Sequence, residues 1–184
     1  KEIVAEVSSA ARRSPDINQR SGVSVRMSID NYETLISNAL KRSIRIAEPE
    51  VVPRISDLPY IIASTTGKLE LEGVEEGKEN KIIDALVNKA VRRVFNQYLK
   101  LDDFNDFVAR FDSGKTIEIS DTKAAREYAT IVSEYTEIMD GVVSLDCFGN
   151  AAMVASAVEF ILEGLHLNER LNKEVKEGRI EYRG

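Results

Sequence analysis

Three short groups of polar residues carry side chains that could bind a phosphate or a metal ion. The first group, Ser113-Gly114-Lys115-Thr116, resembles the end of a phosphate-binding loop. The full motif has a glycine five positions before Gly114, and Ala109 occupies that position. A phosphate loop also follows a strand and opens a helix, whereas here a helical pattern precedes and a strand-like segment follows. We therefore expect Lys115 to lie in a solvated turn.

The second group is the pair Glu163 and His166, whose spacing places a carboxylate and an imidazole on one helix face. Di-iron bundles use two such pairs together with two further glutamates. The chain has a single histidine, so one copy cannot build such a site. We expect His166 to lie where its helix leaves the core, and we keep a metal-binding bundle enzyme as an alternative function.

The third group is a pair of arginines, Arg20 and Arg26. Arg26 follows Ser24 by two positions, and serine is a good helix N-cap. A cation in the first turn opposes the helix dipole, which favours anions at that end. Because guanidinium makes forked contacts with phosphate oxygens, this position favours an anion contact, although many surface arginines bind nothing.

Composition and charge limit the classes of function. The 184 residues are 43% hydrophobic, with a net charge of -6 and a pI of about 5.0, which argues against a nucleic-acid-binding domain. The most apolar stretch, Ala151 to Leu162, is interrupted by Ser156 and Glu159 and is too short to cross a membrane. No secretory signal is evident, and a single Cys147 fits a reducing compartment. We expect a cytoplasmic protein that acts without membrane or nucleic acid.

Hydrophobic periodicity predicts mostly helices. We expect one from Glu2 to Arg13, a second from about Ser24, a long one from about Ile82 to Leu99 and a last one over 150–175. The second helix is expected to bury the following side chains: Ile29, Tyr32, Leu35, Ile36, Ala39, Leu40 and Ile44. Its solvent face should carry these charges: Asp30, Glu33, Lys41 and Arg42. Alternating patterns predict short strands at 68–72 and 116–119, which are candidates to pair with each other.

The segment from Asn18 to Glu33 resembles a known family. Its stretch Ser21-Gly22-Val23-Ser24-Val25-Arg26 is similar to the sensor-2 segment of AAA+ ATPases of the magnesium chelatase subunit I and MoxR group. The segments at 53–59 and 67–72 also resemble that group, so the specific likeness covers about residues 1–72. The chain lacks the phosphate loop, the acidic strand that binds Mg and any arginine finger that can be placed.

The resemblance implies a mainly α fold: a helical lid of the AAA+ C-terminal type followed by a helical bundle, with one or two short strands. It divides the chain into lid helices with the sensor-2 segment (1–47), a connector with a short helix and strand (48–79) and a C-terminal helical domain (80–184). Because no initiator methionine opens the chain, we expect it to belong to a longer protein.

The family's properties imply a function as well. Arg26, and with less support Arg20, would sense the nucleotide of an ATP- and Mg-dependent motor for remodelling or metal insertion, commonly a hexameric ring. The partners implied are an N-terminal AAA+ core of the same chain, neighbouring subunits and a von Willebrand A-type protein. This fragment alone would not hydrolyse ATP. The competing hypothesis is a freestanding helical adaptor, in which Arg26 makes only surface contacts.

Overall fold

A computed structural model describes residues 1–20, 22–72, 77–176 and 179–184. The protein is mainly helical with a small three-stranded antiparallel sheet, which confirms the predicted fold class. The α-helices are α1 (Glu2–Arg12), α2 (Val25–Arg45), α3 (Ile61–Thr65), α4 (Glu79–Tyr98), α5 (Asn105–Ala109), α6 (Tyr128–Glu134), α7 (Thr136–Ser144) and α8 (Ala151–Leu167). The strands are β1 (Thr116–Ser120), β2 (Asn172–Lys176) and β3 (Arg179–Arg183). Four 3-10 turns join them: Ile55–Tyr60, Leu101–Phe104, Arg110–Ser113 and Ala125–Glu127.

The start of α2 is where the sequence predicts it. Ser24 is extended, and its hydroxyl accepts a hydrogen bond from the Arg26 amide at 3.2 Å. This bond satisfies one of the amides that a helix leaves without a partner at its N-terminus. The helix then runs for 21 residues to Arg45, so it connects the sensor-2-like segment to the connector at its far end.

Two hydrophobic clusters hold the helices together. The larger one extends from Val4 of α1 to Tyr182 of β3 and contains residues of all three predicted parts of the chain, 1–47, 48–79 and 80–184. Helix α4 packs against both α1 and α8, and Phe95 at its C-terminal end is fully buried. The smaller cluster joins Ile17, Met27 and Leu69 to the start of α4. The proposed division at residues 47 and 79 stays a prediction.

The solvent face of α2 differs from the prediction. Ile29, Leu40 and Ile44 are 53%, 46% and 72% exposed, whereas Arg42 is only 3% exposed. Asn31 is also fully buried. The prediction was correct for Leu35 and Ala39, which are buried, and wrong for the three exposed residues. Helix α2 carries apolar residues on two sides, and the side that packs on the core includes two polar groups with partners there.

The strand prediction was correct at one of its two positions. Residues 116–119 lie in β1, but 68–72 do not form a strand, and only Leu71 makes an isolated bridge, to Ile17. The partner of β1 is instead β3, which lies between β1 and β2. The register places Ile117 opposite Tyr182, so two buried side chains meet at this pair.

The last helix is shorter than predicted. Helix α8 ends at Leu167, and Glu169 adopts a left-handed backbone conformation with φ of 62°. Residues 172–175, which were expected to continue the helix, lie in β2, and residues 179–183 form β3. Ser21 of the sensor-2-like stretch lies outside the described residues.

Candidate functional site

Arg26 lies in the first turn of α2 with its side chain exposed. Its backbone amide is used by the Ser24 cap. In the part of the chain that the structure describes, no hydrogen bond or ion pair engages its guanidinium, and the first turn of α2 carries no acidic residue. An uncompensated cation therefore opposes the positive end of the helix dipole, and an anion bound there would relieve this repulsion.

The loop before α2 forms one wall of an open depression of about 530 Å³. Residues 22–24 form this wall, and residues 67–70 form the opposite one. Gly22 and Gly67 both have positive φ, 70° and 74°, and glycine adopts such a backbone at little cost. The sequence predicts a short strand at 68–72, whereas the structure shows a turn there that faces the loop before α2.

Main-chain hydrogen bonds fix the two turns relative to each other. The Asn18 amide donates to the Glu70 carbonyl at 2.8 Å, and the Glu72 amide donates to the Asp16 carbonyl at 2.9 Å. On one flank, Lys68 forms a 2.6 Å ion pair with Asp30 of α2. The start of α2 is thus held by contacts that span 38 to 56 positions of the chain.

Arg20 is exposed as well, and its backbone amide donates to the Asn18 side chain at 3.0 Å. Among the described residues, its guanidinium has no partner, and neither Arg20 nor Arg26 lines the depression. The two arginines predicted to sense a nucleotide therefore lie near the same loop, but no shared contact joins them.

Lys115, the residue of the phosphate-loop-like stretch, lies in a turn. It forms an ion pair with Glu134, and its Nζ lies 5.5 Å from the centre of the Tyr135 ring. The hydrogen bond to Glu134 raises the pKa of Lys115. Gly114 ends the preceding turn in a left-handed conformation and β1 follows, so no helix N-terminus faces this lysine.

Glu163 is buried and His166 is half-buried, and both have hydrogen-bond partners within the chain. The Glu163 carboxylate accepts hydrogen bonds from Lys173 Nζ at 2.9 Å and from the Tyr182 hydroxyl at 2.5 Å. His166 Nδ1 lies 3.0 Å from the Leu171 carbonyl oxygen. Within the described ranges, no group of three or more His, Cys, Asp or Glu residues is arranged to hold a metal ion. The pair instead ties α8 to the C-terminal hairpin.

Sequence reasoning missed a buried network of ion pairs at the far end of α2. Arg42 donates from Nε to Asp57 Oδ1 at 3.3 Å and from Nη2 to Asp57 Oδ2 at 3.0 Å. Glu48 accepts from Arg42 at 3.1 Å and from Arg54 at 2.8 Å. All four side chains are at most 8% exposed. No local motif could have revealed the network, because its partners come from α2 and from two turns of the connector.

Arg54 and Glu48 carry this network across to the C-terminal half. Arg54 Nη1 donates to the Lys123 carbonyl at 2.8 Å, and the Ala125 amide donates to the Glu48 carboxylate at 2.5 Å. The Arg54 guanidinium carbon also lies 5.2 Å from the centre of the Tyr128 ring. The connector is thereby fixed to the turn before α6 by charged groups rather than by apolar packing alone.

An apolar groove of about 670 Å³ lies between α1, α2, α4 and the turn before α8. Tyr32, Ile36 and Phe160 are among its lining residues, with Cys147 at one side. The exposed apolar side chains of α2 lie beside it, and Val25 is 66% exposed. Together they form an apolar surface along α2, of the kind that marks interaction sites on soluble proteins.

No helix within the described residues is long and apolar enough to cross a membrane. Comparisons with protein-family models, with curated proteins and with solved structures found no match to this chain. The likeness to the magnesium chelatase and MoxR group therefore depends on the residues of the sequence alone.

Proposed function

We propose that this chain is the lid and helical C-terminal region of an AAA+ ATPase similar to magnesium chelatase subunit I, with Arg26 as its nucleotide-sensing residue. One observation carries the proposal: the guanidinium of Arg26 is exposed in the first turn of α2 and has no partner among the described residues. A cation held at that end of a helix suits a phosphate group brought to it by another part of the assembly.

The surroundings of Arg26 support this role. The Ser24 cap and the bonds between residues 16–18 and 70–72 fix the loop from which α2 starts. A fixed loop limits the backbone entropy that is lost when the arginine binds an anion. Arg20 is a second candidate for the same interface because its guanidinium also lacks a partner within the described residues.

ATP and Mg would be held mainly by an N-terminal AAA+ core of the same protein. Arg26 suits the phosphate end of the nucleotide, whereas the described residues offer no cluster of carboxylates for a magnesium ion. The apolar surface along α2 would be covered by that core or by a neighbouring subunit of a ring. The action would be remodelling or metal insertion, with a von Willebrand A-type protein as partner.

The experiment is a steady-state ATPase assay of the full-length protein carrying Arg26→Ala. We expect at least a roughly tenfold loss of activity, because a hydrogen bond to a charged group contributes about 1.5–3 kcal/mol. Arg26→Lys should restore only part of it, since lysine lacks the fork of donors. Arg92→Ala is the matched control, because Arg92 is exposed on α4 and distant in sequence from the α2 loop.

Equal ATPase rates for the wild type, Arg26→Ala and Arg92→Ala would contradict the assignment. A second candidate function is a freestanding helical adaptor, which the apolar groove and the exposed face of α2 favour. The reading frame upstream of Lys1 distinguishes the two: a phosphate-loop motif there supports the motor, and a start codon at that boundary supports the adaptor.

A further inference from the structure

Glu159 is a carboxylate in the middle of α8 with 0% exposure. Its Oε1 accepts a hydrogen bond from the Tyr128 hydroxyl at 2.6 Å, and its Oε2 accepts one from the Ser56 amide at 2.9 Å. One side chain therefore joins α8 to the connector on one side and to α6 on the other.

Glu159 differs from the other carboxylates in this region because it has no ion pair. Glu48 and Asp57 pair with Arg42 and Arg54, and Glu163 pairs with Lys173. In the part of the chain that the structure describes, no cationic nitrogen lies within 4.0 Å of the Glu159 oxygens. The two arginines of the network are already balanced by two carboxylates, so an ionised Glu159 would add a net negative charge to the interior.

The other groups around Glu159 do not supply that missing charge. Tyr128 and Tyr182 are neutral phenols, and the pKa of Tyr128 is raised by burial and by the nearby carboxylate of Glu159. Lys123 Nζ lies 5.2 Å from the centre of the Tyr128 ring and makes no ion pair with Glu159 among the described residues. Burial raises the pKa of Glu159, and the hydrogen bonds from Tyr128 and Ser56 and the charge of Arg54 only partly oppose this effect.

The hydrogen bonds at the site bring no positive charge to Glu159. Its two donors, the Tyr128 hydroxyl and the Ser56 amide, are both neutral groups. A neutral carboxylic acid can donate one hydrogen bond while its other oxygen still accepts, and a tyrosine hydroxyl can either donate or accept. The same two partners can therefore satisfy a protonated Glu159, whereas they leave the charge of an ionised Glu159 uncompensated.

We propose that Glu159 carries a proton in the folded protein at neutral pH, so that the junction of the connector, α6 and α8 depends on proton binding. Release of this proton leaves an uncompensated charge at the point where Ser56 and Tyr128 meet α8. The junction therefore loosens as the pH rises, and it does so independently of the nucleotide role assigned to Arg26.

The test is the free energy of unfolding of the chain, measured in denaturant between pH 5 and pH 9. Unfolding releases the Glu159 proton, because a solvated glutamate has a pKa of about 4.3. The ratio of the wild-type unfolding constant to that of Glu159→Gln should then rise by up to about tenfold for each pH unit. The variant keeps an acceptor and loses the charge. Glu33→Gln, an exposed change on α2, should follow the wild type.

Parallel pH profiles for the wild type and Glu159→Gln would overturn the proposal, since they would mean that Glu159 is ionised in the fold. If the variant does not fold, infrared spectroscopy of the wild type gives the answer. A protonated carboxyl band at pH 7 that disappears at high pH supports the proposal, and the absence of such a band at pH 7 overturns it.

Discussion

Arg42 and Asp57 form a bidentate ion pair in the interior, with Nε donating to Oδ1 at 3.3 Å and Nη2 donating to Oδ2 at 3.0 Å. The side chains are 3% and 2% exposed. The pair joins the C-terminal end of α2 to the 3-10 turn Ile55–Tyr60 of the connector. The position of α2 thus depends on electrostatic partners at one end and on the capped loop at the other.

Asp57→Asn should lower the free energy of unfolding by about 3–5 kcal/mol, because removing one partner of a buried pair leaves the other charge uncompensated. Asp57 also accepts from the Arg54 amide at 2.9 Å. Chemical denaturation measures the change. Asp121→Asn breaks the exposed pair with Arg45 and should cost about 0–1 kcal/mol. Similar losses in the two variants would contradict a special role for the buried pair.

Gly164 of α8 lies directly against Phe95 of α4. A Cβ atom built at Gly164 would lie 1.9 Å from a Phe95 ring carbon, so Gly164→Ala must displace a fully buried ring. We expect a loss of about 1–3 kcal/mol, as for other overpacked cores, seen as a lower thermal midpoint. At Gly149 the added atom would meet only Met153 Sδ, at 3.5 Å. If Gly149→Ala lowered the thermal midpoint as much as Gly164→Ala does, this explanation would be refuted.

Cys147 should react slowly with thiol reagents. Burial, and then the charge of Asp146, raises the pKa of its thiol, and only the thiolate is nucleophilic. It is the sole cysteine of the chain, so a colorimetric disulfide assay at pH 8 reports on this site alone. Asp146→Asn should speed the reaction, and Asp140→Asn should leave it unchanged. If Cys147 reacted as fast in the folded protein as in the protein unfolded by denaturant, burial would have no effect on the reaction rate.

Tyr182→Phe should lower the stability by about 1.5–3 kcal/mol, because it removes a hydrogen bond to the buried Glu163 carboxylate but keeps the ring. Denaturant unfolding measures this loss. Tyr98 offers a matched control, since its exposed hydroxyl donates to Glu2 at 2.7 Å and water can replace that bond. An equal loss for Tyr98→Phe would mean that burial does not set the contribution of the hydroxyl.

The sequence predicted where the helices with a strong apolar period lie, but not which face of α2 is buried. Helices α2 and α4 match their expected positions, and Ser24 caps α2 as its residue type suggests. Residues 168–175 were predicted to continue the last helix, and their Glu, Arg, Leu and Lys residues favour helices. Pairing of residues 172–176 with β3 overrides this preference, and that pairing could not be predicted from local sequence.

The candidate site, like the fold, could be predicted from the sequence only in part. The place of Arg26 in the first turn of α2 followed from the serine cap and the spacing. The burial of Arg42 could not be predicted, since it depends on Glu48 and Asp57 being brought to it by the connector. A charged residue in a helix is usually solvated, and only the three-dimensional structure identifies the exception.

The position of β3 between β1 and β2 has a consequence during synthesis on the ribosome. Strand β1 has no sheet partner until residues 179–183 have emerged, after α6, α7 and α8 have been made. A stop codon just before Arg179 would abolish the whole sheet rather than shorten it, because β1 and β2 do not pair with each other. Nascent chains stalled ahead of this point should therefore be more sensitive to proteases than the finished protein.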